Sequence, residues 1–294
     1  MFKNVHSGVW AFDAEWVPDA DTGRRVYGLP SSMSDVDVID EMFRHGGATD
    51  EEPRPYLKTV LCRLVSISAL ARTEESGEIR LQLHSLPTVA DRDAPEAAEG
   101  EILRRFLEGV GRAKPQMVGY NSWSADFRIL VQRSVALGVQ AADFAKRPDK
   151  PWEGVDYFGG GDWHIDLMDL LAGRGRGRPA LHEMAASCGI PGKFSGAGDS
   201  VLDSWLCGGL ADIIAYNEFD ALTTYLLWLR VAYFGGFFNA TQYEEEQRRV
   251  RDLLQREGER SDRSHLHQFL AEWDRVRRPE DGGGAQLQFG LTSS

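Results

Sequence analysis

The sequence predicts an α/β fold, a mixed sheet flanked by helices with a C-terminal helical extension, and three observations carry that reading. Residues 8–17 (GVWAFDAEWV) alternate in the period of a strand. Apolar runs at 58–71 (KTVLCRLVSISALA) and 79–86 (IRLQLHSL) are separated by TEESG, which reads as the turn of an antiparallel pair. From residue 99 the order becomes helix, strand, helix, so a parallel strand is added to an antiparallel meander.

In the first strand Val9, Ala11, Asp13 and Glu15 share one face, and Trp10, Phe12, Ala14 and Trp16 share the other. Residues 18–56 are rich in Asp, Gly, Ser and Pro and read as a long excursion rather than core. Segment 99–113 places apolar residues at 102, 103, 106, 107 and 110, the helical period. A short strand, QMVGYN, follows. Ser124 is positioned to cap the next helix, with Phe127, Leu130, Val131, Ser134 and Val135 on its core face. Further helices are expected at 164–172, 180–189 and 209–235. Segment 244–278 alternates Glu and Arg with sparse apolar positions and reads as surface helices, while 279–294 has the composition of a disordered tail. Residues 1–243 are thus expected to form one domain, followed by the extension and the tail.

Composition narrows the function classes. The 294 residues are 42% hydrophobic, enough for one large core. The formal net charge is −12, so no overall basic field supports duplex binding, and any nucleic-acid contact has to be local and metal-assisted. Cys62, Cys188 and Cys207 form no CxxC pair and read as small buried hydrophobes, indicating neither a zinc site nor a disulfide framework. With no apolar signal core and no membrane-length apolar run, the cytoplasm is the expected compartment.

Three segments carry chemistry in combination. Asp13 and Glu15 point the same way from an otherwise apolar strand, where unpaired carboxylates are costly to bury. In VGYNSWSADFRIL a strand ends at Asn121 and Asp126 falls in the first turn of the following helix, where an acidic residue is also an ordinary stabilising device. In IIAYNEFDALTTYLLWLR, Tyr216 and Asp220 lie one helical turn apart on one face. Each pattern alone is commonplace, but together they supply converging carboxylates, which is what phosphodiester hydrolysis with two divalent ions requires.

FDAE, then N-x-x-x-A-D, then Y-x-x-x-D, in that order, resembles the three exonuclease motifs of the DEDD superfamily, and most of all its family-B-polymerase-like stand-alone 3′-5′ exonucleases. HIDLMDLL at 164–171, IPGK at 190–193 and the helix ending LLWLR extend the resemblance over about residues 8–235. It implies a ribonuclease-H-like sheet and hydrolysis from the 3′ ends of nucleic acid, with single-stranded DNA favoured and RNA the alternative substrate. A tyrosine four residues before the last Asp, with Ala215 where the other subclass has His, implies the tyrosine subclass. Ala125 departs from the family, which usually has an aromatic before the second-motif Asp. The resemblance further implies that Asp13, Glu15 and Asp220 ligate one ion, that Asp13 reaches a second with Asp126 in its shell, and that Tyr216 orients the attacking water. Mg²⁺ or Mn²⁺ suits such hard oxygen ligands. Asn121 falls where the family contacts the terminal nucleotide, beside Ala14 and Trp16.

Other features carry less. Arg174, Arg176 and Arg178 lie on a Gly-rich loop that suits either a phosphate clamp or a solvated surface. Lys193 reads as an exposed lysine or a phosphate contact. His164 and Asp166 read as a helix start. His182–Glu183 lacks the second His of a zinc-protease helix, and Trp205, Trp228 and the aromatics at 233–238 read as core.

Overall fold

The alternation at the start of the chain becomes the central strand of the sheet. In the computed structural model, residues 1–150, 152–173, 177–192 and 201–277 are described. The elements are β1 (Gly8–Pro18), α1 (Ala20–Tyr27), α2 (Asp35–His45), β2 (Cys62–Glu75), β3 (Glu78–Leu86), α3 (Glu99–Ala113), β4 (Gln116–Gly119), α4 (Asp126–Leu137), α5 (Ala142–Ala145), β5 (His164–Asp166), α6 (Leu167–Ala172), α7 (Leu181–Ser187), α8 (Val201–Leu206), α9 (Leu210–Phe234), α10 (Ala240–Gly258) and α11 (His265–Arg277).

The sheet has five strands in the order β3-β2-β1-β4-β5. β1, β2 and β3 form the expected antiparallel meander. β4 adds parallel to β1, and β5 parallel to β4. This is the expected mixed sheet flanked by helices. The two faces of β1 separate two cores. Val9 and Ala11 pack with Leu70, Leu83 and the apolar side of α9, while Phe12, Ala14 and Val17 pack with residues of α2, α3 and α4. Because Asp13 and Glu15 continue the Val9–Ala11 face, they emerge toward α9.

The structure departs from the sequence reading in several places. Residues 18–56 are not a featureless excursion. They form α1 and α2, and α2 buries Val38, Ile39, Met42 and Phe43 in the second core. Ser34 caps α2 by accepting from the Asp37 N–H at 3.2 Å. Gly23 of α1 permits the close approach, since a Cβ there would lie 2.5 Å from the Met42 sulfur. Segment 164–172 opens as a strand. His164–Asp166 is short and buried on both faces, a pattern that periodicity cannot separate from a helix start. Ser124 does not cap α4, whose N-cap is Ala125, and Val135 is 78% exposed.

The C-terminal helices are not confined to the surface. Val250, Leu253 and Leu254 of α10 and Leu266, Phe269 and Trp273 of α11 are buried in the first core. Each such side chain contributes about 1.5–3 kcal/mol on burial. Arg72 of β2 and Glu246 of α10 form a buried ion pair at 2.9 Å, with the Tyr225 hydroxyl on the other carboxylate oxygen. Residues 279–294 lie outside the described residues. Of the cysteines, Cys62 is buried, Cys188 half-buried and Cys207 exposed, so only the first behaves as a core hydrophobe. Trp228 is core as expected, but Trp205 is only half-buried and Phe234 is 84% exposed.

Candidate active site

Where β1 meets α9, side chains from both ends of the sequence converge. Carboxylate oxygens of Asp13, Glu15 and Asp220 all lie within 4.8 Å of one another. Strand alternation brings the first two to one face, and the long, largely apolar α9 lies across that face and delivers the third. The register pairs Asp13 with Ser68 and Glu15 with Ser66, so β2 presents small, buried hydroxyls beside the carboxylates rather than bulk. A β-bulge follows at Glu15/Trp16, where the register with β2 shifts. Such bulges re-aim side chains next to sites. Trp16 is half-buried against the second core.

Asp126 arrives from the other side. It is only 4% exposed, and its Oδ1 accepts the Ala14 N–H at 3.0 Å, which fastens α4 to β1 beside Asp13. The turn leading to it is tight. At Gly119 a Cβ would lie 2.4 Å from that of Ser122, and Asn121 adopts the left-handed region at φ 60°. Asp166 secures this turn by accepting from the Asn121 N–H at 2.9 Å and the Trp123 N–H at 3.0 Å. The same carboxylate caps α6 through Met168 N–H at 3.0 Å. The expectation that Asp166 opens a helix therefore holds, with a second task attached. His164 is different. It is buried among Phe12, Trp123 and Phe127 with Nε2 2.9 Å from Ser122 Oγ, and burial pushes its pKa down to about 3.

The electrostatics record the crowding. Burial, then the neighbouring charges of Asp126, Glu15 and Asp220, hold the Asp13 carboxyl well above the usual carboxylate range, and a hydrogen bond from Asn217 works the other way. Burial is also the main cause that raises Asp126 to about 7, with Asp166 and Asp220 adding to it. Tyr216 hydrogen-bonds Asp220. Its hydroxyl is pushed well above the ordinary phenol range, chiefly by burial and then by the charges of Asp220, Glu15 and Asp13.

Sequence reasoning missed Asn217. Its Nδ2 donates to Asp13 Oδ2 at 2.7 Å, and its Oδ1 accepts from Ser66 Oγ at 3.1 Å. Glu218 anchors the opposite side of the same turn to Ser85 Oγ at 2.6 Å, to His265 at 2.6 Å and to Arg263 at 3.1 Å. Both were visible as polar residues inside an apolar helix, which demand partners once buried. Of the Arg loop, Arg178 pairs with Asp169 at 3.0 Å, whereas Arg174, Arg176 and Lys193 lie outside the described residues.

Residues 54–273 match the family described as predicted 3′-5′ exonucleases related to the exonuclease domain of PolB. The chain belongs to this family. Asp126, Tyr216 and Asp220 fall inside the matched segment, and β1 precedes it. Among solved structures the chain is similar to the family B DNA polymerase of the hyperthermophilic archaeon Pyrobaculum calidifontis, with 16% identity and a TM-score of 0.43 over 76% of this chain. The match spans 25% of the polymerase chain. No curated protein matches the sequence. Among the described residues no helix is long and apolar enough to cross a membrane.

Proposed function

We propose that this family member removes nucleotides from the 3′ ends of single-stranded DNA by two-metal hydrolysis and releases nucleoside monophosphates. The observation that carries the proposal is the convergence of Asp13, Glu15 and Asp220 within 4.8 Å, with a tyrosine hydroxyl on the third. All the donors are hard oxygens. The repulsion that raises Asp13 is what a bound divalent cation relieves, so the residues fit Mg²⁺ or Mn²⁺. When bound, two such ions activate water and stabilise the leaving oxygen.

The chain's own residues do the rest. Asp13, Glu15 and Asp220 are the ligand set, and Asp126, whose carboxyl is pinned by the Ala14 amide, supports the second position from the α4 side. Asn217 fixes the rotamer of Asp13. Tyr216 belongs to the tyrosine-subclass pattern and acts as an orienting donor. A phenol, with its ordinary pKa near roughly 10, keeps its proton at neutral pH and is a poor base. Asn121, Ala14 and Trp16 flank the place of the terminal nucleotide. The Ala14 N–H is already engaged by Asp126, and the Ala14 methyl is buried in the second core.

The test uses single-stranded DNA and RNA oligonucleotides labelled at either end, with Mg²⁺, with Mn²⁺ and with excess chelator. Immediate loss of a 3′ label, inhibition by a 3′-phosphate and silence in chelator are expected. Degradation starting from the 5′ end, or turnover that survives chelation, overturns the proposal, and a preference for RNA replaces its substrate.

A further inference from the structure

We infer that Trp205, Arg63 and Arg92 form a strand-binding subsite that holds single-stranded nucleic acid a few nucleotides away from the carboxylates. The inference rests on the proposed nuclease reading of those carboxylates. β2 carries Arg63 opposite Val17, two residues beyond Glu15 on β1. Helix α8, which carries Trp205, packs against β1 and α9, the two elements that supply the site. The guanidinium carbon of Arg63 lies 5.4 Å from the centre of the Trp205 ring, and that of Arg92 lies 5.7 Å from it. Arg92 also donates to the Trp205 carbonyl at 3.0 Å, and Arg54 grips Asp203 with two contacts of 2.8 Å. The indole is therefore fixed before any ligand arrives.

The chain's net charge is −12, and many of its arginines, such as Arg72, Arg104 and Arg133, are tied to carboxylates, whereas Arg63 and Arg92, like Arg230 over the Tyr243 ring, are held by an aromatic ring instead. Among the described residues neither Arg63 nor Arg92 pairs with a carboxylate, and Arg63 Nε is buried with no acceptor. A guanidinium held by an aromatic ring keeps its charge, and its terminal N–H groups remain available to phosphate even where, as in Arg63, the Nε is buried. The indole is only half-buried, so the part of the ring that the two guanidinium groups and the second core leave uncovered is what a base can stack on. Two residues of strand cover about 7 Å. With the arginine side chain added, the subsite stands roughly three or four stacked nucleotides from the carboxylates at about 3.4 Å per step. Phosphate contacts and base stacking in one place select single strands, whose bases are free, over duplex.

The test measures binding by fluorescence anisotropy in an Asp13→Asn background, which blocks turnover, with Mg²⁺ present. The probes are thymidylate and uridylate strands of about twelve nucleotides, within the site sizes of single-strand binders, and trimers too short to reach the subsite. Arg63→Gln and Arg92→Gln should each weaken long-strand binding roughly tenfold and lower the slope of log K against log salt by about 0.7. Arg63→Lys should keep the slope. Trp205→Ala should weaken binding to a similar degree with the slope unchanged, because stacking releases no counterions. Trimers should bind alike to all of them. If the parent holds long strands and the variants hold them equally well with equal slopes, the subsite is wrong and the nuclease reading stands. A loss equal for trimers and long strands, with lower melting temperature and unchanged slope, assigns the three residues to anchoring α8 and also overturns the subsite. Failure of the parent to bind either strand overturns the subsite together with the reading it rests on.

Discussion

Replacing Asp126 by Asn in metal-free protein should stabilise the fold, and by an amount that grows with pH. In the unfolded chain an aspartate ionises near roughly 4. In the folded chain burial and neighbouring carboxylates delay Asp126 to about 7. Between these values the folded chain retains a proton that the unfolded chain has released, so stability falls as pH rises through that window. The interval is about three pH units, which at about 1.4 kcal/mol each sets a ceiling of about 4 kcal/mol at pH 7. Asparagine keeps the acceptor for the Ala14 N–H and nearly the same volume, so the substitution removes charge and little else. Carboxylates held low by arginines, such as Asp156 beside Arg147, push stability the other way, but they are common to both proteins and cancel in the difference. Urea titrations of wild type and Asp126→Asn in chelator, from pH 4 to 7, read this difference directly. In thermal melts each kcal/mol appears as roughly 2–4 °C. Added Mn²⁺ should erase or reverse the advantage of the variant. A difference that stays flat across the window, or that favours wild type in chelator, would falsify the account of the buried cluster.

Tyr216→Phe should leave Mn²⁺ affinity and melting temperature nearly unchanged while kcat falls roughly 10²–10⁴-fold; wild-type turnover would take the hydroxyl out of the reaction. Asn217→Ala frees the Asp13 carboxylate and should raise the Mn²⁺ concentration needed for half-maximal activity, which a metal titration shows. Glu246→Ala removes the buried partner of Arg72 and leaves it only the half-exposed Glu74 at 3.1 Å, so it should cost at most about 3–5 kcal/mol in urea unfolding, whereas Arg72→Met combined with Glu246→Leu should cost little.

The parts of the molecule that were legible in the sequence are those where local pattern and burial agree. β1 could be read residue by residue, because strand alternation assigns each of its side chains to one of two faces, and the two carboxylates fall on the same one. α9 could be read because its length and apolar character exclude a strand, and the spacing of Tyr216 and Asp220 then follows from the helical turn. What escaped was set by tertiary partners. α2 has only four buried residues, and their reason for being apolar is the sheet end beneath them, invisible in a window dominated by Asp, Gly and Ser. β5 has three residues, too few to show a period, and its place is fixed by β4. α10 and α11 keep their charged faces outward, and sparse apolar positions suffice because each one is fully used against α9 and the sheet. The same logic explains Asn217. A polar residue inside an apolar helix signals that something polar faces it, but only the fold reveals that the partner is Asp13, 204 positions earlier. The carboxylates could therefore be named from sequence, whereas the residues that hold them in place depend on contacts that no local pattern encodes. Trp205 follows the same rule, since its standing as core or surface turns on two arginines, Arg63 and Arg92, which lie far from it in the chain.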